Sequence, residues 1–237
     1  MEHIQLGDLI IEVELKDIKN VHLSVYPPNG RVRIAAPSKM TLDTIRIYAI
    51  SKLRWIKKQQ TKILSQKREA PREYLTKESH FYLGKRYLLK VIELNTVPAV
   101  HLTHNNIELY VRPNSSPEKR KEILENWYRE QLRVLGTELI AQWQEKMKVK
   151  VKELGIKKMK TKWGTCNEEA KRIWLNFELV KKPLNCIEYI VVHELVHLKV
   201  RNHNNKFVAY MNHFLPEWKQ LKAELNKMPV SHVEWTY

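Results

Sequence analysis

Residues 183–203 read P-L-N-C-I-E-Y-I-V-V-H-E-L-V-H-L-K-V-R-N-H, and the fold is decided by how this stretch is read. Asn185 followed three residues later by Glu188 predicts an N-cap with a capping-box partner, so a helix starts here. Ile187, Ile190, Val191, Leu195 and Leu198 anchor it in a core. His193 and His197 stand four apart and share one face at about 3.6 residues per turn, where two imidazoles can meet one ion. Glu194 follows the first histidine, so its carboxylate projects beside that ion as a general base for water. A catalytic metal needs a third protein ligand and an open position. His203 is the best candidate, six residues past His197, with Asn202 expected to take the left-handed geometry that ends a helix and turns the chain back. His213 ranks lower, because Phe207, Tyr210, Met211 and Phe214 assign it to a following helix. Cys166 and Cys186 could complete a closed structural site, but Cys186 falls two turns before His193 and reads better as a packed thiol. The expectation is one catalytic zinc ion on His193, His197 and His203, with Glu194 as base. The bland alternative is a helix with hydrogen-bonded core histidines and a surface glutamate.

Outward from this helix, periodicity sets the fold class. Val21, Leu23, Val25 and then Val32, Ile34 alternate with polar residues around Pro27-Pro28-Asn29-Gly30, which predicts a β-hairpin. Thr41 is the expected N-cap of one long helix running to about Ile63 on Leu42, Ile45, Tyr48, Ala49, Leu53, Trp55 and Ile56. Residues 80–94 and 100–111 alternate as strands. Pro117 and Glu118 begin a second helix, expected to end near Met147. Residues 151–166 and 172–179 favour strands joined by a hairpin loop at 167–170, and no internal repeat is visible. The class is α+β: a β-rich N-terminal part, then a metal-binding helix packed on a small antiparallel sheet. The best boundary, at 113–117, gives a β-rich region with one long helix at 1–115 and a catalytic region at 116–237.

Composition limits the partners. Two cysteines in 237 residues suggest a reducing compartment, and the first residues lack the basic start and apolar run of a secretory signal, so the cytoplasm is expected. The most apolar window, 187–198, is interrupted by four ionisable residues and cannot span a bilayer. The net charge of +16 attracts polyanions, and eight lysines with one glutamate lie between Lys146 and Lys162. The charge therefore admits nucleic acid, a nucleotide or a nucleic-acid-associated protein as a partner. The aspartates are Asp8, Asp17 and Asp43, too few for a two-metal phosphoryl-transfer site built on them. Beside a zinc-dependent hydrolase in general, two specific readings stay open: a metal-dependent nucleotide pyrophosphatase, and a nucleic-acid-binding protein with structural zinc.

The segments Lys162-Trp163-Gly164-Thr165-Cys166 and Ile173-Trp174-Leu175-Asn176, the histidine helix and Asn202-His203 with Phe207 resemble the YgjP-like metallopeptidase-domain family. The resemblance continues through Arg31-Val32-Arg33, Ala36-Pro37, Lys52 to Trp55-Ile56, and Tyr82-Leu83-Gly84-Lys85 with Tyr87, nearly the whole chain. Thr165 stands where the family pattern commonly has serine, and keeps the hydroxyl. The resemblance implies a zincin-like peptidase related to the SprT-like proteases, with His193, His197 and His203 as ligands and Glu194 as base. Val200 stands where metzincins carry glycine, which sets the chain apart from that group. Within the zincin reading, Trp163, Gly164 and Asn176 are the candidate substrate-binding residues, and the strand around residues 174–177 is expected to offer its edge to an extended peptide. Core packing is the competing role for Trp163 and Trp174.

Overall fold

Alternating side chains build the first sheet. The computed structural model describes residues 2–65, 72–159 and 161–229. Strands β1 (Glu2–Leu6), β2 (Leu9–Lys16), β3 (His22–Tyr26) and β4 (Arg31–Pro37) form a sheet in the order β1-β2-β4-β3, with β2 and β4 parallel and the other pairs antiparallel. Ile11, Val13, Val32, Ile34 and Ala36 face one side and bury against Ile45, Ala49 and Ile56. The expected hairpin joins β3 to β4 through Gly30, whose positive φ of 71° suits a residue without Cβ. Thr41 caps the next helix, its Oγ1 accepting from Thr44 N. The single long helix is instead two, α1 (Leu42–Ser51) and α2 (Leu53–Ser65). Lys52 occupies the position that a continuous helix would turn inward in line with Ile45, Ala49 and Ile56. The break leaves it exposed, as burying an unpaired ammonium would be costly.

A second sheet repeats this plan. β5 (Ser79–Tyr82), β6 (Lys85–Glu93), β7 (Ala99–Leu102) and β8 (Asn106–Val111) lie in the order β5-β6-β8-β7, again with the middle pair parallel. The sequence shows no repeat because pairing sense is not written in local residue type. The sheet packs on α3 (Pro117–Met147), whose N-cap is Ser116. Tyr82 meets Trp127 at a ring-centroid distance of 5.1 Å and Tyr128 donates to the Phe81 carbonyl at 3.0 Å. These contacts cross the expected boundary near residue 115. The chain divides instead into Met1–Glu69 with Pro229–Tyr237, and Ala70–Met228. The physical reason is that Leu109 and Val111 share one core with Leu124 and Leu132 of α3.

The third sheet carries the site. β9 (Glu153–Lys157), β10 (Gly164–Asn167) and β11 (Arg172–Asn176) lie in the order β10-β11-β9. β10 and β11 are antiparallel as expected, but β11 and β9 are parallel, so the small sheet is mixed. One face, with Ile156, Ile173 and Leu175, joins the core formed with α3 and α4 (Leu184–His197). A short 3-10 helix (Phe177–Lys181) links β11 to α4, and α5 (Asn205–Phe214) and α6 (Trp218–Lys227) follow. No helix among the described residues is long and apolar enough to cross a membrane.

Candidate metal centre

Helix α4 is held by burial more than by a cap. Its N-cap is Pro183, without a side-chain cap bond, and the Pro183 carbonyl accepts from Cys186 N and Ile187 N. The expected capping box is absent: Asn185 Oδ1 accepts from its neighbour Cys186 N, and Glu188 accepts from Trp143 Nε1 at 2.9 Å. Glu188 thus ties α4 to α3 instead of closing the helix end. Ile187, Val191, Val192, Leu195 and Val196 are wholly buried, which fixes the rotation of α4 and so the direction of its histidines.

His193, His197 and His203 converge, with one potential ligand atom from each lying within 4.8 Å of the others. His193 Nε2 and His203 Nε2 are 3.0 Å apart. Two nitrogens bound to one tetrahedral zinc at about 2.0–2.1 Å would be separated by about 3.3 Å, so the donor set fits such an ion with little movement. His197 Nδ1 lies 3.2 Å from the Val200 carbonyl, which can only accept; the proton sits on Nδ1 and Nε2 keeps its lone pair. Burial, then His197, His203 and Lys222, pushes His193 down to about 3, and burial with His197 and Lys222 lowers His203. Neutral imidazoles are the ligand form. The aromatic wall behind them is Phe207, with ring centroids 4.9, 4.9 and 4.6 Å from those of His193, His197 and His203. Its four-residue offset from His203 was the available signal for this supporting role.

The return of His203 differs from expectation in its means. Asn202 is not among the described residues with positive φ. Helix α4 closes on Leu198 in right-handed geometry, Asn204 N donates to the Asn202 carbonyl, and Asn204 caps α5 by accepting from Phe207 N. Asn204 therefore sets both the turn after His203 and the placement of Phe207. His213 sits near the end of α5 with its ring against Phe214 and is not in the histidine cluster. Cys186 is buried with Sγ near the Leu221 carbonyl, a packed thiol. Cys166 lines the cleft but is not in the ligand group. Burial, then Glu194, raises its thiol to about 12.

Glu194 is 4% exposed, and burial raises its carboxyl to about 8, opposed by the ammonium of Lys162. A dication nearby would favour the carboxylate. Gly164 makes room for this group: a Cβ there would lie 2.6 Å from Glu194 Oε1 and 2.9 Å from Ile190 Cγ2. Trp163 and Gly164 line a cleft of about 740 Å³ that also contains the three histidines and Glu194. Lys182 Nζ lies over the Trp163 ring at 5.7 Å, the geometry of a cation–π contact. Asn176 does not line the cleft. Its Nδ2 donates to the Met159 and Lys162 carbonyls at 2.9 and 2.7 Å, and its Oδ1 accepts from Glu178 N. Buried and fully engaged, it fixes the segment leading to Trp163. The expected edge at residues 174–177 is also corrected, because β11 is central and β10 is the sheet edge beside the cleft. Trp174 packs over Gly155, where a Cβ would lie 2.3 Å from the ring.

The sequence profile of the YgjP-like, metallopeptidase domain family matches residues 19–228. Among solved structures, the metallopeptidase zymogen of Methanocaldococcus jannaschii jannalysin is similar at 22% identity and a TM-score of 0.35, covering 38% of this chain and 92% of that one. The metallopeptidase zymogen of Pyrococcus abyssi abylysin is similar at 19% identity and a TM-score of 0.37, covering 41% and 99%. No curated protein matches the sequence.

Proposed function

The chain belongs to the YgjP-like metallopeptidase-domain family, and from that premise we propose a zinc peptidase in which His193, His197 and His203 hold one ion and Glu194 is the general base. One observation carries the assignment: three histidine nitrogens converge in a cleft beside a buried carboxylate on the same helix. Zinc held there supplies a Lewis acid for the scissile carbonyl and lowers the pKa of water. Glu194 takes a proton from the attacking water on its carboxylate and returns it to the leaving amine. Phe207 and the Val200 carbonyl keep the imidazoles oriented, and the buried surroundings of Glu194 strengthen its hydrogen bonds. The free edge of β10, starting at Gly164, supports an extended peptide as substrate, with Trp163 at the strand's entrance.

Nothing among the described residues directs the +16 charge to nucleic acid in particular, so the proposal carries no nucleic-acid requirement. The test is hydrolysis of a quenched peptide library by zinc-loaded protein, read by mass spectrometry, beside pyrophosphate release from nucleoside triphosphates. Peptide cleavage should fall by about 10²–10⁴-fold in Glu194→Gln with zinc content retained, and His197→Ala should lose the zinc. Triphosphate hydrolysis without peptide hydrolysis would replace the peptidase reading.

A further inference from the structure

The cleft beside the histidines is lined by three cations from three separate segments. Lys162 precedes β10, Arg201 lies between α4 and His203, and Lys222 stands on α6. None of the three forms an ion pair among the described residues. Elsewhere in the same unit exposed cations do find carboxylates: Lys158 meets Glu125 at 2.7 Å and Arg172 meets Glu153 at 2.6 Å. The charge of two of them reaches the centre, since Lys162 acts on Glu194 and Lys222 acts on both His193 and His203. A resident divalent ion would make the cleft more positive still. At the other end of β10, Glu168 also lines the cleft and opposes anions there.

We propose that this cleft selects peptides bearing acidic side chains on the residues flanking the scissile bond, through Lys162, Arg201 and Lys222. The inference rests on the peptidase reading for its substrate and deepens it by naming the substrate class. The arrangement favours discrete carboxylates over a continuous polyanion for two reasons. The cations come from three separate segments of the cleft lining and not from one continuous basic run, which suits single carboxylates on an extended chain lying along β10. Glu168 would confront the evenly spaced phosphates of a nucleic acid, whereas a peptide can present a neutral residue at that point. A carboxylate reaching any one of the cations gains a charge-assisted contact without displacing another carboxylate, although Lys222 Nζ already lies over the Trp218 ring at 5.8 Å.

The test uses zinc-loaded full-length Glu194→Gln protein, which holds uncleaved ligand, and fluorescein-labelled decapeptides with two glutamates on each side of a central apolar pair. An isosteric set carries glutamine at those four positions. Anisotropy should show the glutamate peptide binding about tenfold tighter at low salt, the product of three exposed pairs worth about twofold each. The advantage should shrink several-fold when salt rises to about 0.5 M. Lys162→Gln, Arg201→Gln and Lys222→Gln should each remove part of it at unchanged zinc content, and the triple replacement all of it. Equal binding of the two peptides overturns the proposal. So does an advantage that survives all three single replacements, or a single-stranded oligonucleotide of equal charge that displaces the glutamate peptide from the same three cations with higher affinity. Wild-type kinetics separate this claim from the one beneath it. Cleavage of both peptides with equal kcat/KM sinks the acidic preference alone. Selective binding through the three cations with neither peptide cleaved keeps the recognition and sinks the peptidase reading.

Discussion

The two four-stranded sheets, β1 to β4 and β5 to β8, share strand order and pairing sense yet are backed by different kinds of core. Under the first lie Ile4, Ile11, Val13, Val32, Ile34, Ala36, Ile45, Ala49 and Ile56, all apolar. The second belongs to a core that runs through α3 to the small sheet and α4. The buried polar residues among those described, His80, Asn176, Lys182 and Glu194, all lie in that second unit. Burying a polar group costs free energy unless its bonds are satisfied, so a purely apolar layer is the simpler way to stabilise a sheet. The same β topology thus serves as a self-contained layer in one unit and as part of the core that supports a chemical site in the other.

Paired core truncations should separate the units most strongly. Ile34→Ala and Leu175→Ala each remove a fully buried side chain and should each cost about 2–5 kcal/mol by denaturant titration. Only Leu175→Ala should weaken zinc binding in competition with a chelator, because Leu175 pairs with Gly164 under α4. Equal weakening by both substitutions would break the distinction.

Two glycines sharpen it at smaller scale. Gly164→Ala should cost about 1–3 kcal/mol through overpacking and cut peptide cleavage by tenfold or more, since the new methyl displaces Glu194. Gly30→Ala should cost about 1–2 kcal/mol through its left-handed backbone and leave kcat/KM within about twofold. Full cleavage by Gly164→Ala would show that the close approach of β10 to Glu194 is dispensable.

The gentlest probe is pH. Burial, then Arg72 and Lys181, pushes His80 down to about 3 from its ordinary 6.5. Its unfolded form binds the proton first, so stability is complete above 6.5 and is lost as pH falls from there toward 3. His193 and His203 act in the same direction, while the raised carboxyl of Glu194 stabilises the metal-free fold at low pH and loses that contribution as pH rises from 4.5 toward 8. In metal-free Glu194→Gln the opposing group is gone. The second unit should then lose stability between pH 6.5 and about 5 while the first changes little, as read by near-UV circular dichroism of their respective aromatic residues. His80→Gln should flatten part of that slope; an unchanged slope would remove His80 from the account.

The candidate centre was legible in one helix because its geometry is local. A spacing of four places His193 and His197 on one face whatever surrounds them, and the apolar positions of α4 choose which face turns inward. The end of the first helix was less so, because Lys52 interrupts an otherwise continuous periodicity only in view of what it would meet if buried. Asn176 could not be assigned from its neighbours in sequence: a polar residue beside Trp174 reads equally as a ligand contact or as a brace. Its bonds to residues 159 and 162, far along the chain, decide for the brace.

By itself the sequence determined the α+β class, where strand and helix regions fall, the paired histidines with their glutamate, and the candidacy of His203, but it ran α1 into α2, β5 into β6, β7 into β8, and β11 into the 3-10 helix. What it determined follows from short-range periodicity and side-chain chemistry. Tertiary structure alone decided the repeated sheet order, the division at Glu69/Ala70, the choice of β10 as the edge beside the cleft, and the gathering of Lys162, Arg201 and Lys222 around it. Each of these depends on contacts between residues distant in the chain, whose energies arise from packing and burial and leave no signature in the order of neighbouring residues.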